Sequence, residues 1–303
     1  MALSFQTLYT DAQNLTEDTD TTTTLPFLKR AINQGAKKFG AILNREWRRS
    51  EKTFSTVADQ QYYQTPEDCI RVKSLTLTIG GVSYPVELID DEEVWRELNK
   101  TTVTSDIPEY FFIRGNDEFG IYPIPATSTA NAGTLKFERK MRDMSAADYT
   151  TGTITVTNDS ATVTGSGTTF TAQMVGRSLK VDDPNGDGMW YKIAAYTSAT
   201  SITLENTYSG STAGSLSFAI GELPDIPEEF HEALVDYALY RYYTLRRDLY
   251  QAREAKKMYD EALMECKASY SSVVTSQYMR GNRKNSPYGL GRYKHEFRDF
   301  QAS

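Results

Sequence analysis

Cysteine and histidine are nearly absent from this chain: it has 2 of each in 303 residues. Cys69 and Cys266 lie far apart, which excludes a disulfide scaffold and a cysteine-rich metal site. His231 and His295 leave little material for histidine-based catalysis. No long apolar run exists to span a bilayer, and the opening stretch MALSFQTLYTDAQ lacks the charged-then-apolar layout of an export signal. A basic excess is also missing: 33 Lys+Arg face 40 Asp+Glu, a formal net charge of −7. A globally basic nucleic-acid binder is therefore not expected, although a local basic patch is compatible with these numbers. What the chain has in quantity is tyrosine, 20 residues. Tyrosine buries area while keeping a polar handle, which suits interfaces as well as cores. Composition points away from an enzyme, and no cofactor is expected.

Apolar spacing predicts a short amphipathic helix from Ser4 to Glu17, through Phe5, Leu8, Ala12 and Leu15. The Asp/Thr run Thr19–Thr24 breaks it, because such side chains compete for backbone hydrogen bonds. A second helix is predicted from about Pro26 to Ser50, with Leu28, Ile32, Ala36, Phe39, Leu43 and Trp47 forming one stripe. Lys37, Lys38, Arg45, Arg48 and Arg49 then form an opposite, basic face able to meet a charged partner. From Thr53 to Lys140 the period shortens to that of strands. Ile70–Ile79 and Val82–Leu88 flank Gly80-Gly81, a hairpin signature, and Asp90–Asn99 reads as one helix with acidic residues at its start.

Residues 149–221 are rich in Thr, Ser and Gly and alternate almost throughout. Six strands are expected there, near 153–156, 161–163, 178–181, 190–193, 201–204 and 216–218, as in a small sandwich or barrel inserted into the rest. Beyond the stiff connector Leu223-Pro224-Asp225-Ile226-Pro227, apolar residues recur at three and four from Glu228 to Tyr270, predicting one long helix. From Ser276 the pattern stops. That last stretch carries about +4, leaving about −11 on the remainder. Its Arg and Lys residues are interleaved with Tyr278, Tyr288, Tyr293, Phe297 and Phe300, the composition of a segment that docks on a partner. The expected class is α+β: a discontinuous body (1–148 and 222–275) with a helical part, a long C-terminal helix and a small mixed sheet, an inserted all-β module (149–221), and an extended tail (276–303).

Four places carry residues that could support chemistry. Asp183-x-Asn185-x-Asp187-Gly188 matches the first half of a calcium loop, but Ala194 stands where the closing acid belongs, and a turn between strands is the expected reading. His231-Glu232 begins like a zinc helix, yet Val235 and Asp236 occupy the next turn where a second histidine is needed. His231 is expected to be a solvated or capping residue. Gly165-x-Gly167 lacks the lysine of a phosphate loop. Trp190, Tyr191 and Tyr196 could stack on sugar, which would make the chain a receptor- or carbohydrate-binding virion protein acting through its β module. An envelope hydrolase lacks any defensible constellation.

The order of elements resembles the head-to-tail adaptor (connector, or head-completion) proteins of tailed bacteriophages. Two N-terminal helices precede Tyr63-Gln64-Thr65-Pro66-Glu67-Asp68-Cys69-Ile70-Arg71-Val72. Pro108-Glu109-Tyr110-Phe111 with Phe119-Gly120-Ile121-Tyr122-Pro123-Ile124-Pro125 is similar to a second family stretch, and Leu223–Phe230 before an Ala/Tyr/Arg helix to a third. The likeness covers residues 4–145 and 223–270. It implies a structural protein of the virion neck, assembled in the host cytoplasm, forming a ring of twelve copies beneath the portal vertex. It further implies as partners the portal ring, neighbouring adaptor copies, a downstream tail or neck protein, and double-stranded DNA passing without sequence-specific contact. The C-terminal segment would dock on the portal, through Arg280, Arg283, Tyr288, Arg292, Tyr293, Phe297, Arg298 and Phe300.

Overall fold

The fold comes from a computed structural model that describes residues 2–42, 48–115, 117–184 and 186–284, with side chains described as far as Tyr270. It is α+β and divides into two compact units, Met1–Asn44 with Asp143–Ser303, and Arg45–Arg142.

In the first unit, α1 (Phe5–Thr16) is capped by Ser4, whose hydroxyl accepts the Thr7 N–H, and ends at Glu17 in the left-handed conformation. The Asp/Thr run breaks the helix as its chemistry predicts. The Asp18 carboxylate accepts the Asp20 N–H, and Asp20 accepts those of Thr22 and Thr23. Next, α2 (Thr24–Ile42) buries Leu28, Ile32, Ala36 and Phe39, four positions of the predicted stripe. It packs on α4 (His231–Arg246), where a β-carbon added to Gly35 would lie 3.0 Å from the Tyr237 ring. Glycine permits that approach.

The single long helix predicted from Glu228 to Tyr270 is instead two antiparallel-packed segments, α4 and α5 (Leu249–Lys284), after a 3-10 turn at Glu228–Phe230. Arg247, at φ 63°, closes α4. Asp248 then caps the next helix, its side chain accepting the Gln251 N–H and its carbonyl the Ala252 N–H. The backbone of α5 continues past Ser276, where the pattern predicts a stop. One glycine, Gly281, costs a helix about 1 kcal/mol, and the first strong breaker is Pro287.

The same unit holds strands β8 (Thr153–Val156), β9 (Thr162–Ser166), β10 (Ser178–Val181), β11 (Trp190–Ser198), β12 (Ser201–Leu204), β13 (Ala213–Leu216) and β14 (Phe218–Gly221). They form a sheet in the order β13-β8-β9-β12-β11-β10-β14, with every pair antiparallel. Ile154, Val163, Leu179, Ile193, Ile202, Tyr208 and Ile220 fill its core. The expected strand 216–218 straddles two, since Leu216 ends β13 and Phe218 opens β14. Ser215 in β13 has a φ of 59° and the register shifts, so side-chain alternation is lost.

The second unit is built on β1 (Arg49–Thr56), β2 (Tyr62–Gln64), β3 (Cys69–Ile79), β4 (Val82–Ile89), β5 (Tyr110–Arg114), β6 (Glu118–Tyr122) and β7 (Thr129–Arg139), with α3 (Glu92–Leu98) between β4 and β5. The order is β1-β7-β3-β4-β5-β6-β2, and only β4–β5 is parallel. Gly80 and Gly81, with φ of 59° and 83°, make the two-residue turn between Ile79 and Val82 that the sequence announces. The sheet curls: Phe54 on one edge strand meets Tyr63 on the other at 5.1 Å between ring centroids, and Phe119 at 5.2 Å. The Phe54 ring also lies over Gly133, where an added β-carbon would fall 2.1 Å from it. Gly133→Ala should therefore destabilise the protein by about 1–3 kcal/mol, read from denaturant midpoints, and adding Phe54→Leu should recover part of the loss.

Candidate functional site

The five residues expected on one basic helix face are not together on α2. The helix ends at Ile42, and Arg49 opens β1, where ladder pairing with β7 (Arg49↔Glu138, Glu51↔Lys136) replaces helical bonding. Arg48 precedes that strand, and Arg45 lies outside the described residues, as do Leu43 and Trp47 of the stripe. Lys37 pairs with Asp143 at 2.7 Å. The Lys38 ammonium sits 4.9 Å above the Tyr237 ring, beside a groove of about 400 Å³ lined by Ile42, Tyr240 and Tyr259. Of the expected docking residues, Arg280 and Arg283 fall within the backbone of α5. Tyr288, Arg292, Tyr293, Phe297, Arg298 and Phe300 lie outside the described residues, and so does His295.

The break at Arg247 leaves three large side chains exposed, two of which, Leu245 and Leu249, the three-and-four spacing places on a core stripe. Leu245, Leu249 and Tyr250, at the α4–α5 turn, are 66%, 63% and 72% exposed. Once the chain reverses, the three-and-four spacing no longer carries these residues along one buried face. The turn is tied to the end of α1 through Asp18. Its carboxylate accepts from Thr24, Tyr242 and Arg246, at 2.9, 3.0 and 2.7 Å, as well as from the Asp20 N–H. These donors, the Asp20 N–H foremost, hold the Asp18 carboxyl down at about 2.

Asp187 and His231, which the sequence offers for metal binding, have structural partners. The Asp187 carboxylate takes the Tyr191 hydroxyl, the Ser209 hydroxyl at 3.1 Å and the Met189 N–H at 3.1 Å, stitching one corner of the β region. Asn185 lies outside the described residues. His231 is 2% exposed, not solvated: Nδ1 accepts the Leu3 N–H at 3.0 Å, so the neutral ring carries its proton on Nε2, facing the Ile226 carbonyl at 3.2 Å. Burial depresses its pKa, in keeping with a neutral imidazole. Among the described residues, no three of His, Cys, Asp and Glu converge as a metal site. The aromatics weighed for sugar stacking do not share an open face either. Tyr191 is buried, and Trp190 donates its indole N–H to the Ala2 carbonyl at 3.0 Å. Tyr196 is 38% exposed.

One half-buried carboxyl on α4 has a consequence near neutral pH. Burial, with Glu232 adding repulsion, raises Asp236 to about 6. The native state then holds a proton that the unfolded chain releases. The resulting stability is present below about pH 4 and is lost as pH rises through 6. Asp236→Asn should raise stability by about 1–3 kcal/mol at pH 7–8 and change little at pH 4. Thermal unfolding across that range checks both the sign and the window.

Among the described residues, no helix is long and apolar enough to cross a membrane. The family model described as SU10 adaptor protein matches residues 3–163 and 157–284, two stretches that meet inside the Thr-rich β region. No curated protein matches the chain.

Proposed function

The chain belongs to the SU10 adaptor protein family, and from that premise we propose that it forms a ring under the portal vertex of a tailed phage, extending the DNA channel and joining head to tail. Membership makes it a structural adaptor of the virion. The match across residues 3–163 and 157–284 carries the proposal, because it takes in both the N-terminal helices and the α4–α5 pair. A ring wall of helices from adjacent copies gives α5, longer than one core requires, a neighbour on its far side. Twelve copies are the number we propose. An acidic lumen repels the phosphate backbone, so that DNA slides through without sequence-specific contact.

The basic, aromatic C-terminal segment supplies the portal contact in this reading. Its arginines donate charge-assisted hydrogen bonds to portal carboxylates, and its aromatic rings offset the cost of ordering. Arg292, Tyr293, Phe297 and Arg298 form the centre of that arm. The opposite rim offers the platform for a downstream tail or neck protein. The apolar turn at Leu245, Leu249 and Tyr250 is a further surface suited to a protein partner. Truncation after Thr275 should leave a folded chain that no longer joins portal rings. Electron microscopy of portal mixed with full-length or truncated protein checks this, and truncated protein decorating portal as well as the full chain does would remove the docking arm from the model.

A further inference from the structure

Building on the reading of the chain as an adaptor that assembles with copies of itself, we propose that the curled sheet of the Arg45–Arg142 unit is a head-to-tail electrostatic coupler. The β1–β7–β3 side of one copy seats against the β4–α3–β5–β6 side of the next. The strand order makes this possible, since it gathers β1, β7 and β3 as neighbours although they lie far apart along the chain. These strands carry Arg49, Lys52, Arg71, Lys73, Lys136 and Arg139 against only Glu51 and Glu138. Glu138 is buried; Lys73 lies 2.8 Å from it, and Arg49 and Arg71 are its register partners on the two flanking strands. Arg49, Arg71 and Lys136 are exposed on the outer face, where Glu51 is the register partner of Lys136, while Lys52 pairs with buried Leu135 on the opposite face; a recess of about 550 Å³ opens among Arg49, Lys73 and Lys136.

The other side has the reverse sign. Trp95 stacks on Phe112 at 5.4 Å and meets Tyr122 edge-on, which lays α3 on the outer face of β5 and β6. That arrangement turns Glu92, Glu93 and Glu97 to solvent, and Glu87 on β4 and Glu109, just before β5, are exposed. Local cations offset part of this charge: Arg96 reaches Glu93 at 3.9 Å, Lys100 reaches Glu97 at 2.6 Å and Arg114 reaches Glu118 at 3.8 Å. Glu87, Glu92 and Glu109 remain as surplus. One molecule thus bears two different, complementary surfaces, which is the requirement for a heterologous contact. A two-fold dimer through either surface would set like charges face to face. Nucleic acid on the basic side would leave the acidic side without a counterpart, so a second copy satisfies more of the observations.

Single exposed ion pairs contribute little, so the coupler acts through many weak pairs and is sensitive to salt. Sedimentation of full-length protein should show oligomers at about 50 mM salt that weaken at least about tenfold by about 500 mM. Arg71→Glu with Lys136→Glu should abolish association, as should Glu92→Lys with Glu109→Lys, while all four together should restore it. Circular dichroism of each variant confirms that the fold persists. The coupler is overturned by an absence of salt-sensitive oligomers, by oligomers indifferent to either pair, by failure of the fourfold variant to recover, or by duplex-DNA binding through Arg71 and Lys136 without self-association. Detection of the wild-type chain in purified virions tests the adaptor reading separately, so the coupler can fail while that reading stands.

Discussion

Residues 2–6 lace together parts of the first unit that are more than 140 positions apart in the chain. The Ser4 hydroxyl caps α1 and also donates to Asp148 at 2.6 Å, while the Gln6 side chain accepts the Asp148 N–H. The Phe5 N–H reaches the Glu222 carbonyl at 2.8 Å, and the Leu3 N–H reaches His231. The Ala2 carbonyl takes the indole of Trp190. The Glu222 side chain in turn receives the N–H groups of Ser145 and Ala146. One short segment therefore fixes where the chain leaves the helices for the β region and where it returns. The polar groups involved are largely withdrawn from water, so losing one partner costs the desolvation of the other, about 1–3 kcal/mol each. Burial in this place raises the pKa of Asp148 and depresses that of His231, and both shifts disfavour charge.

Much of the secondary structure was legible because local chemistry and tertiary need agree. The Gly80-Gly81 hairpin, the Asp91-capped α3 and most strands of the Thr-rich region stand where alternation and turn residues put them. The departures share a physical cause. Where two consecutive helices both face one core, apolar spacing runs on through the reversal, and Arg247 offers no side-chain signal for its left-handed backbone. Asp248, a good cap, was the available clue. At the end of α2 a cross-strand ladder overrides helical periodicity, and at β13 a positive φ hides the alternation.

The candidate surfaces were less legible, since a sequence gives charge in chain order and a fold redistributes it. Summed along the chain, residues 45–142 look unremarkable, with cations and carboxylates in comparable number. The sheet order separates them because strands from both ends of the segment become neighbours. In the same way Lys37, Lys38 and Arg49, close in sequence, belong to a helix and a strand of different units. Leu245, Leu249 and Tyr250 were visible as apolar residues but not as exposed ones, because exposure there follows from a turn that periodicity conceals.

Tyr149 and Ile220 exchange both backbone hydrogen bonds, at 2.9 Å each, although the whole β region lies between them. The segment therefore starts and ends at one spot, close to the residues 2–6 that also hold Trp190 and Asp148. Because its ends already meet, a change in the length of the chain between them costs the closure little, about 0.6 kcal/mol per doubling of length.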